Sequence, residues 1–170
     1  GLYDLAISTN PTETDSVVFN LWLPANVSNP APDYSATAIV HTNGEVIVQY
    51  PSEVIGGSFF IAVRHRNHLE TWSKTPITLT GSTTYHFDSP VKAFGDNLFQ
   101  MPDGQYVFYG GDVSQDGIVD GSDMAAGDNA STIVLTGYVG EDTNGDGLVD
   151  GSDMALIDNN ATMAITAIIP

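Results

Sequence analysis

The 170-residue chain has no cysteine and only 4 Lys or Arg residues, against 21 Asp or Glu. Without thiols there are no disulfides, thiolate metal sites or Cys nucleophiles. A formal net charge of −17 repels phosphate backbones and excludes nucleic acid as a partner. It also disfavours anionic membrane surfaces. No apolar run approaches the ~18–20 residues a membrane span needs. No G-x-S-x-G nucleophile elbow is present. Gly1 follows no basic-then-apolar leader, so the sequence reads as a mature product or a fragment. Against these absences stand a hydrophobic share of 42% and 16 aromatics, too many for a disordered acidic chain. The length suits one domain or two small ones.

The acid is concentrated. Residues 1–110 hold 10 acids and all 4 bases, a net of −6, whereas residues 111–170 hold 11 acids and no base, a net of −11. Like charge at that density drives a compact fold apart unless a cation neutralises it. The same segment holds an internal repeat. Residues 112–124 read DVSQDGIVDGSDM and residues 142–154 read DTNGDGLVDGSDM, an offset of 30 with nine of thirteen positions identical.

Each copy has the spacing of a calcium loop, with oxygen donors at positions 1, 3, 5, 7, 9 and 12 and Gly at 6 for a sharp turn. In the first copy these are Asp112, Ser114, Asp116, the Ile118 carbonyl, Asp120 and Asp123, with Gly117 at the turn. In the second they are Asp142, Asn144, Asp146, the Leu148 carbonyl, Asp150 and Asp153, with Gly147. Ca²⁺ is a hard cation taking 6–8 oxygens, and alternate residues of a tight loop point inward. Position 7 donates its backbone, which leaves the Ile118 and Leu148 side chains free to pack inward, followed by Val119 and Val149. Four carboxylates per loop repel strongly without a cation. Two calcium ions would bring the segment from −11 to −7 and the chain from −17 to −13.

Position 12 is Asp, where a general EF-hand has Glu. With that feature the pair resembles dockerin type I repeats, in which a calcium loop ending in Asp leads into one helix and the unit is duplicated. The resemblance implies helices beginning near Ser122 and Ser152. Their buried faces would be Met124, Ala125 and Ala126 and the matching Met154, Ala155 and Leu156. Each helix would end at Asp-Asn (Asp128-Asn129 and Asp158-Asn159). A cellulosomal dockerin usually presents basic recognition residues to a cohesin, and no base follows Lys92 here.

The first 110 residues read as all-β. Short runs rich in β-branched and aromatic residues cover 17–23, 36–42, 45–50, 58–64, 77–79 and 83–87, separated by Gly, Pro and Asn signals. Asn43-Gly44 is a strong hairpin signal. This predicts a mainly β protein: an immunoglobulin- or fibronectin-like β-sandwich over 1–110, then a small α dockerin-like domain over 111–170. The polar run VRHRNHLETWS (63–73), with Ala93–Asn97 and the Tyr109–Val113 junction, resembles the C-terminal sandwich-plus-dockerin module of secreted Bacteroidetes proteins. In that family an apolar strand precedes the Gly-Leu-Tyr that opens this chain, and the module ends soon after the second Asp-Asn.

Other chemistry has weaker support. As one strand, 63–73 would point His65 and His68 to opposite faces, and Arg64 and Arg66 would repel a second cation. Arg64, Arg66 and Glu70 are therefore expected in structural ion pairs around a core Trp72. The scattered sandwich acids form no opposed glycosidase pair, so no enzyme is expected. Trp22, Tyr34, Tyr50 and Tyr85 could form a sugar platform, but aromatics in a sandwich more often form core. The uncharged, alternating tail 159–170 must pair with something. With the strand-like Gly1–Ser8, it suggests filaments built by strand complementation, or completion of the chain's own sandwich. The expected product is a calcium-stabilised, extracellular or cell-surface structural module. Its candidate partners are copies of itself, a cohesin-like protein or a surface glycan.

Overall fold

A computed structural model describes residues 13–170; the strand-like opening at Gly1–Ser8 lies outside the described residues. The fold is mainly antiparallel β and sandwich-like, followed by two helices. Its main sheet contains β1 (Glu13–Trp22), β2 (Tyr34–His41), β3 (Ser58–His65), β4 (His68–Trp72) and β5 (Ile77–Thr78). The order is β2-β1-β3-β4, with β5 pairing the start of β3. A small hairpin of β6 (Phe99–Gln100) and β7 (Tyr106–Val107) follows.

The β3 stretch FFIAV (59–63) is apolar throughout because both of its faces are covered. On one face Leu21 and Phe59 pack with Val54 and Leu79, flanked by Tyr34, Tyr50, Ile61 and Ile77. On the other, Trp22, Phe60, Ala62 and Trp72 pack with Val27 and Phe94. The Trp22 and Trp72 rings lie 5.5 Å apart. Loops supply much of the second layer where the sequence predicted more strands. Residues 45–50 form no strand after the Asn43-Gly44 turn, keeping a Val40–Val46 bridge and a bond from His41 N to Glu45 O (2.9 Å). Tyr50 Oη instead donates to Phe19 O (2.8 Å). Residues 83–87 form no strand either; Tyr85, Phe87 and Phe108 stack edge to face.

The run 63–73 is a hairpin, not one strand. Arg66 and Asn67 turn the chain between β3 and β4, and His65 faces His68 across the ladder. Their Nδ1 atoms lie 2.7 Å apart, which corrects the expectation that they diverge.

The second half contains α1 (Gly121–Thr132) and α2 (Gly151–Thr162). Both starts are one residue from the expected serines. Asp128-Asn129 and Asp158-Asn159 do not end them. In α1 the Asp128 carbonyl accepts from Ser131 Oγ and Thr132 Oγ1, so the turn continues. Each helix ends where Val134 (φ 52°) or Ala164 (φ 49°) enters the left-handed region, the usual stop conformation of a helix. The buried stripe is corrected in part: Met124 and Met154, half-buried, pack against the cluster of Leu69, Val119 and Ile157 as expected. Asp123, Gly127 and Ala130 face inward on α1, as do Asp153 and Ile157 on α2, at the i, i+3, i+4 spacing of one helix face. Ala125, Ala155 and Leu156 are exposed. At the helix crossing, a Cβ on Gly127 would lie 2.6 Å from Met154 Sδ and 3.0 Å from Ile157 Cδ1.

The tail pairs within its own chain. Val119 N donates to Ile165 O and Ala167 N to Gly117 O (both 2.8 Å), and Ile118 bridges Thr166. The first repeat does the same to the second. Val149 N donates to Leu135 O (2.9 Å), Gly137 N to Gly147 O (3.0 Å), and Thr136 bridges Leu148. The segment after each helix thus closes the loop of the other repeat. A third cluster, Leu69, Val119 and Ile157, joins β4 to both loop–helix units.

Ile168 seals the tail over Gly95, whose φ of 64° and missing Cβ make room for it; a Cβ there would lie 2.5 Å from Ile168 Cγ2. Gly95→Ala is expected to destabilise by about 1–3 kcal/mol in urea denaturation, through overpacking and left-handed strain. Adding Ile168→Ala should recover the steric part. A Gly95→Ala protein as stable as the parent would show that the tail does not pack there.

Candidate metal centre

The two loops fold alike because each carboxylate is held by a particular backbone N–H. Asp112 Oδ1 accepts from Asp116 N (3.1 Å) and its Oδ2 from Gly117 N (3.1 Å). Asp142 Oδ1 accepts from Gly145 N (2.8 Å) and Asp146 N (3.2 Å), and its Oδ2 from Gly147 N (3.0 Å). Asp116 and Asp146 each accept from the amide two residues on, Ile118 or Leu148, at 3.0 Å. Asp120 and Asp150 cap α1 and α2, while Asp123 and Asp153 reach back to the cap amides in reciprocal capping boxes. Asp123 Oδ1 also takes Ser114 N (2.9 Å), and Asp153 Oδ1 takes Asn144 N (2.9 Å). The turn glycines, Gly117 and Gly147, sit at φ 88° and 87°, which a side chain rarely tolerates.

All twelve expected donors therefore lie on two matching loops. Asp112, Asp123, Asp142 and Asp153 are fully or nearly fully buried. Burial pushes the Asp112 carboxyl up, opposed by Gly117 N–H, and the Asp123 and Asp116 charges push it further. Burial raises Asp142 too, against Gly147 N–H, Gly145 N–H and the Arg66 charge. Hydrogen bonds from Ser122 and Ser152 hold the half-buried Asp120 and Asp150 below the usual range. Among the described residues, no three His, Asp or Glu side chains converge closely enough to enclose a metal as they stand. The chemistry of the donor set still fits a hard cation, because it is oxygen only. Each carboxylate has about four lone-pair sites, of which one to three are engaged by N–H. The position-7 expectation is reversed: Ile118 is exposed and Leu148 half-buried, while Val119 and Val149 are buried.

Sequence reasoning missed the junction between the loops and the sheet. A bulge in β1 between Glu13 and Asp15 places Asp15, which is 4% exposed, at the end of the stripe containing Leu21. Its Oδ2 lies 2.8 Å from His65 Nε2 and 3.2 Å from Arg66 Nε, and its Oδ1 accepts from Tyr138 Oη (2.6 Å). Arg66 stacks over the Tyr138 ring at 4.6 Å. Its Nη1 donates to Val139 O and to Asp142 O (2.8 Å). Asn67 Nδ2 donates to the same Asp142 carbonyl (2.8 Å). The expected Arg64–Glu70 pair is present at 3.3 Å. The available signal for the junction was the lack of any cation in an acidic half, which the sheet then supplies. The sugar platform does not form. Trp22 is buried, Tyr34 packs edge-on against Phe59, and Tyr50 and Tyr85 spend their hydroxyls on backbone carbonyls.

No family model and no curated protein matches this chain. Among solved structures, it is similar to a chain of the type II Cohesin–X-Dockerin complex of Acetivibrio cellulolyticus, in a C-terminal interface mutant. That match has a TM-score of 0.50 at 15% identity and covers 94% of this chain and 90% of the other. A chain of the N-terminal interface mutant of the same complex matches with a TM-score of 0.48 at 14% identity, covering 85% and 79%. The first of these likenesses concerns the fold alone: an antiparallel, sandwich-like β body with two helices.

Asp15 supplies a pH test. Burial raises its pKa, but hydrogen bonds from His65 and Tyr138, the His65 charge and the Ser16 N–H outweigh burial and hold it at about 2, against an ordinary 3.8. A depressed carboxylate contributes stability above its unfolded pKa and loses it as pH falls through the folded value. That contribution is on the order of 2 kcal/mol at neutral pH. Asp15→Asn should therefore cost stability at pH 7, and the gap to the parent should close between pH 4 and 2. Urea denaturation across that range checks it; a gap independent of pH would refute the assignment.

Proposed function

We propose that this chain is a non-catalytic, calcium-stabilised extracellular module of the dockerin-bearing kind, serving a structural or adhesive role at a cell surface. The observation that supports it most is the pair of matching loops. Each sets four carboxylates, a Ser or Asn side chain and one apolar residue's carbonyl around a glycine turn, in a half-chain with no base of its own. Asp112, Ser114, Asp116, Ile118, Asp120 and Asp123 would hold one Ca²⁺. Asp142, Asn144, Asp146, Leu148, Asp150 and Asp153 would hold the other. Bound calcium would supply charge neutralisation; the chain's own N–H groups already orient the carboxylates. Extracellular fluid is where such a cation is plentiful, and the lack of cysteine leaves calcium in the place disulfides often take in secreted domains. The sequence resemblance to the secreted Bacteroidetes module agrees with this reading.

A second reading is docking to a cohesin-like partner through the helices. Ile133, Val134, Leu156 and Met163 are 43–70% exposed near or on them, and the fold likeness is to a cohesin–X-dockerin complex. Filament assembly through the tail is less favoured, because Ile165–Ala167 are already paired. Among the described residues, the outer edge of β2 pairs with no strand, meeting residues 45–46 near its end through the Val40–Val46 bridge and the bond from His41 N to Glu45 O (2.9 Å), and is the better place for strand addition.

Calcium at 100 times its dissociation constant should stabilise by about 2.7 kcal/mol per site, raising the melting temperature by several degrees. EDTA should reverse the rise. Asp116→Ala and Asp146→Ala should each remove one ion from a calcium titration. A melting temperature indifferent to calcium and EDTA would defeat the calcium reading, and sedimentation or pull-down with a cohesin separates the remaining roles.

A further inference from the structure

The two loops are not braced alike, and the difference falls on one pair of equivalent residues. In the first loop the carbonyl of the opening residue, Asp112, accepts from Gln115 Nε2 at 2.6 Å. Gln115 belongs to that loop and adopts φ 60°. Its equivalent thirty residues on is Gly145, at φ 76°, which has no side chain to offer. The Asp142 carbonyl is held from outside, by Arg66 Nη1 and Asn67 Nδ2, both at 2.8 Å. Arg66 Nη1 also holds Val139 O, three residues upstream. Asn67 is fully buried, and the Arg66 side chain is 12% exposed. Asp15, 3.2 Å from Arg66 Nε, offsets the guanidinium charge, so the brace need not repel a cation in the loop.

We infer that Arg66 and Asn67 are positioning residues for the second loop, standing in for the side chain that Gly145 lacks. The first loop braces its opening carbonyl with its own Gln115, which also reaches His68 O (3.4 Å), whereas the second loop's opening carbonyl takes both of its side-chain braces from the β3–β4 turn. Occupancy of the second loop is therefore linked to the Arg66 and Asn67 side chains, whereas the first loop meets the same turn through Gly111 N, which donates to the Asn67 carbonyl (2.7 Å), and through its own Gln115. The part concerning occupancy rests on the calcium reading; the brace itself does not.

The test uses the full chain. In metal-free protein, Arg66→Gln with Asn67→Ala should speed amide hydrogen exchange at Gly145–Gly147 at least tenfold, leaving Asp116 and Gly117 unchanged. Adding Gly145→Gln, which recreates the first loop's brace at an already left-handed position, should restore protection. In a calcium titration the same double variant should weaken one site at least tenfold. Asp116→Ala and Asp146→Ala backgrounds should identify that site as the second, and Gly145→Gln should rescue it. If the double variant does not fold, Arg66→Lys, which keeps the charge and loses the fork, must show the same selective effect. Unchanged exchange in the second loop, or equal acceleration in both loops without rescue, overturns the inference. Selective, rescued exchange in a protein that binds no calcium supports the brace and refutes the calcium reading alone.

Discussion

Burying a carboxylate is costly unless its oxygens find donors, and among the described residues five are buried: Asp15, Asp112, Asp123, Asp142 and Asp153. Much of the local architecture follows from that constraint. The glycine turns exist because Asp112 and Asp142 must collect amides four and five residues ahead. The helices begin where they do because Asp120 with Asp123, and Asp150 with Asp153, satisfy one another's orphan N–H groups. The β1 bulge and the Arg66 turn serve Asp15 in the same way. Hydrogen bonds satisfy the lone pairs but leave the charge, and the charge is what a divalent cation would neutralise.

Cross-closure ties the two repeats into one unit. Leu135–Gly137 complete the second loop, and Ile165–Ala167 complete the first. Each loop–helix unit lacks the strand that closes it and lends its own to the other. Val119 and Val149 are buried beneath those bridges, and Leu69 reaches the same cluster from the sheet. Loss of one repeat would thus open the other.

Legibility in the sequence followed the range of the interactions. The loop positions, the glycine turns, the helix starts and the β1, β2 and β3 runs rest on contacts within a few residues, and the sequence pattern carries them. Helix ends were misplaced because Asp-Asn reads as a stop locally, whereas the left-handed turns at Val134 and Ala164 depend on Leu135 and Ile165 pairing with the opposite loop. The His65–His68 pair was misread because a polar turn, Arg66-Asn67, has neither Gly nor Pro to announce it. Its register is set by partners as distant as Asp15 and Asp142. The free tail was a sound reading of composition; its partner, Gly117–Val119, lies 46–50 residues upstream in a loop that reads as finished. Strand expectations at 45–50 and 83–87 failed where aromatic contacts replace ladders: Tyr50 packs against the Leu21–Phe59 cluster, and Tyr85 and Phe87 stack in a chain with Phe108.

Gly127 and Ile157 occupy equivalent positions in the two copies and fill one space between the helices. Two glycines there would leave a hole, and two isoleucines would collide. The crossing therefore depends on the two copies differing at this position, and neither can stand in for the other.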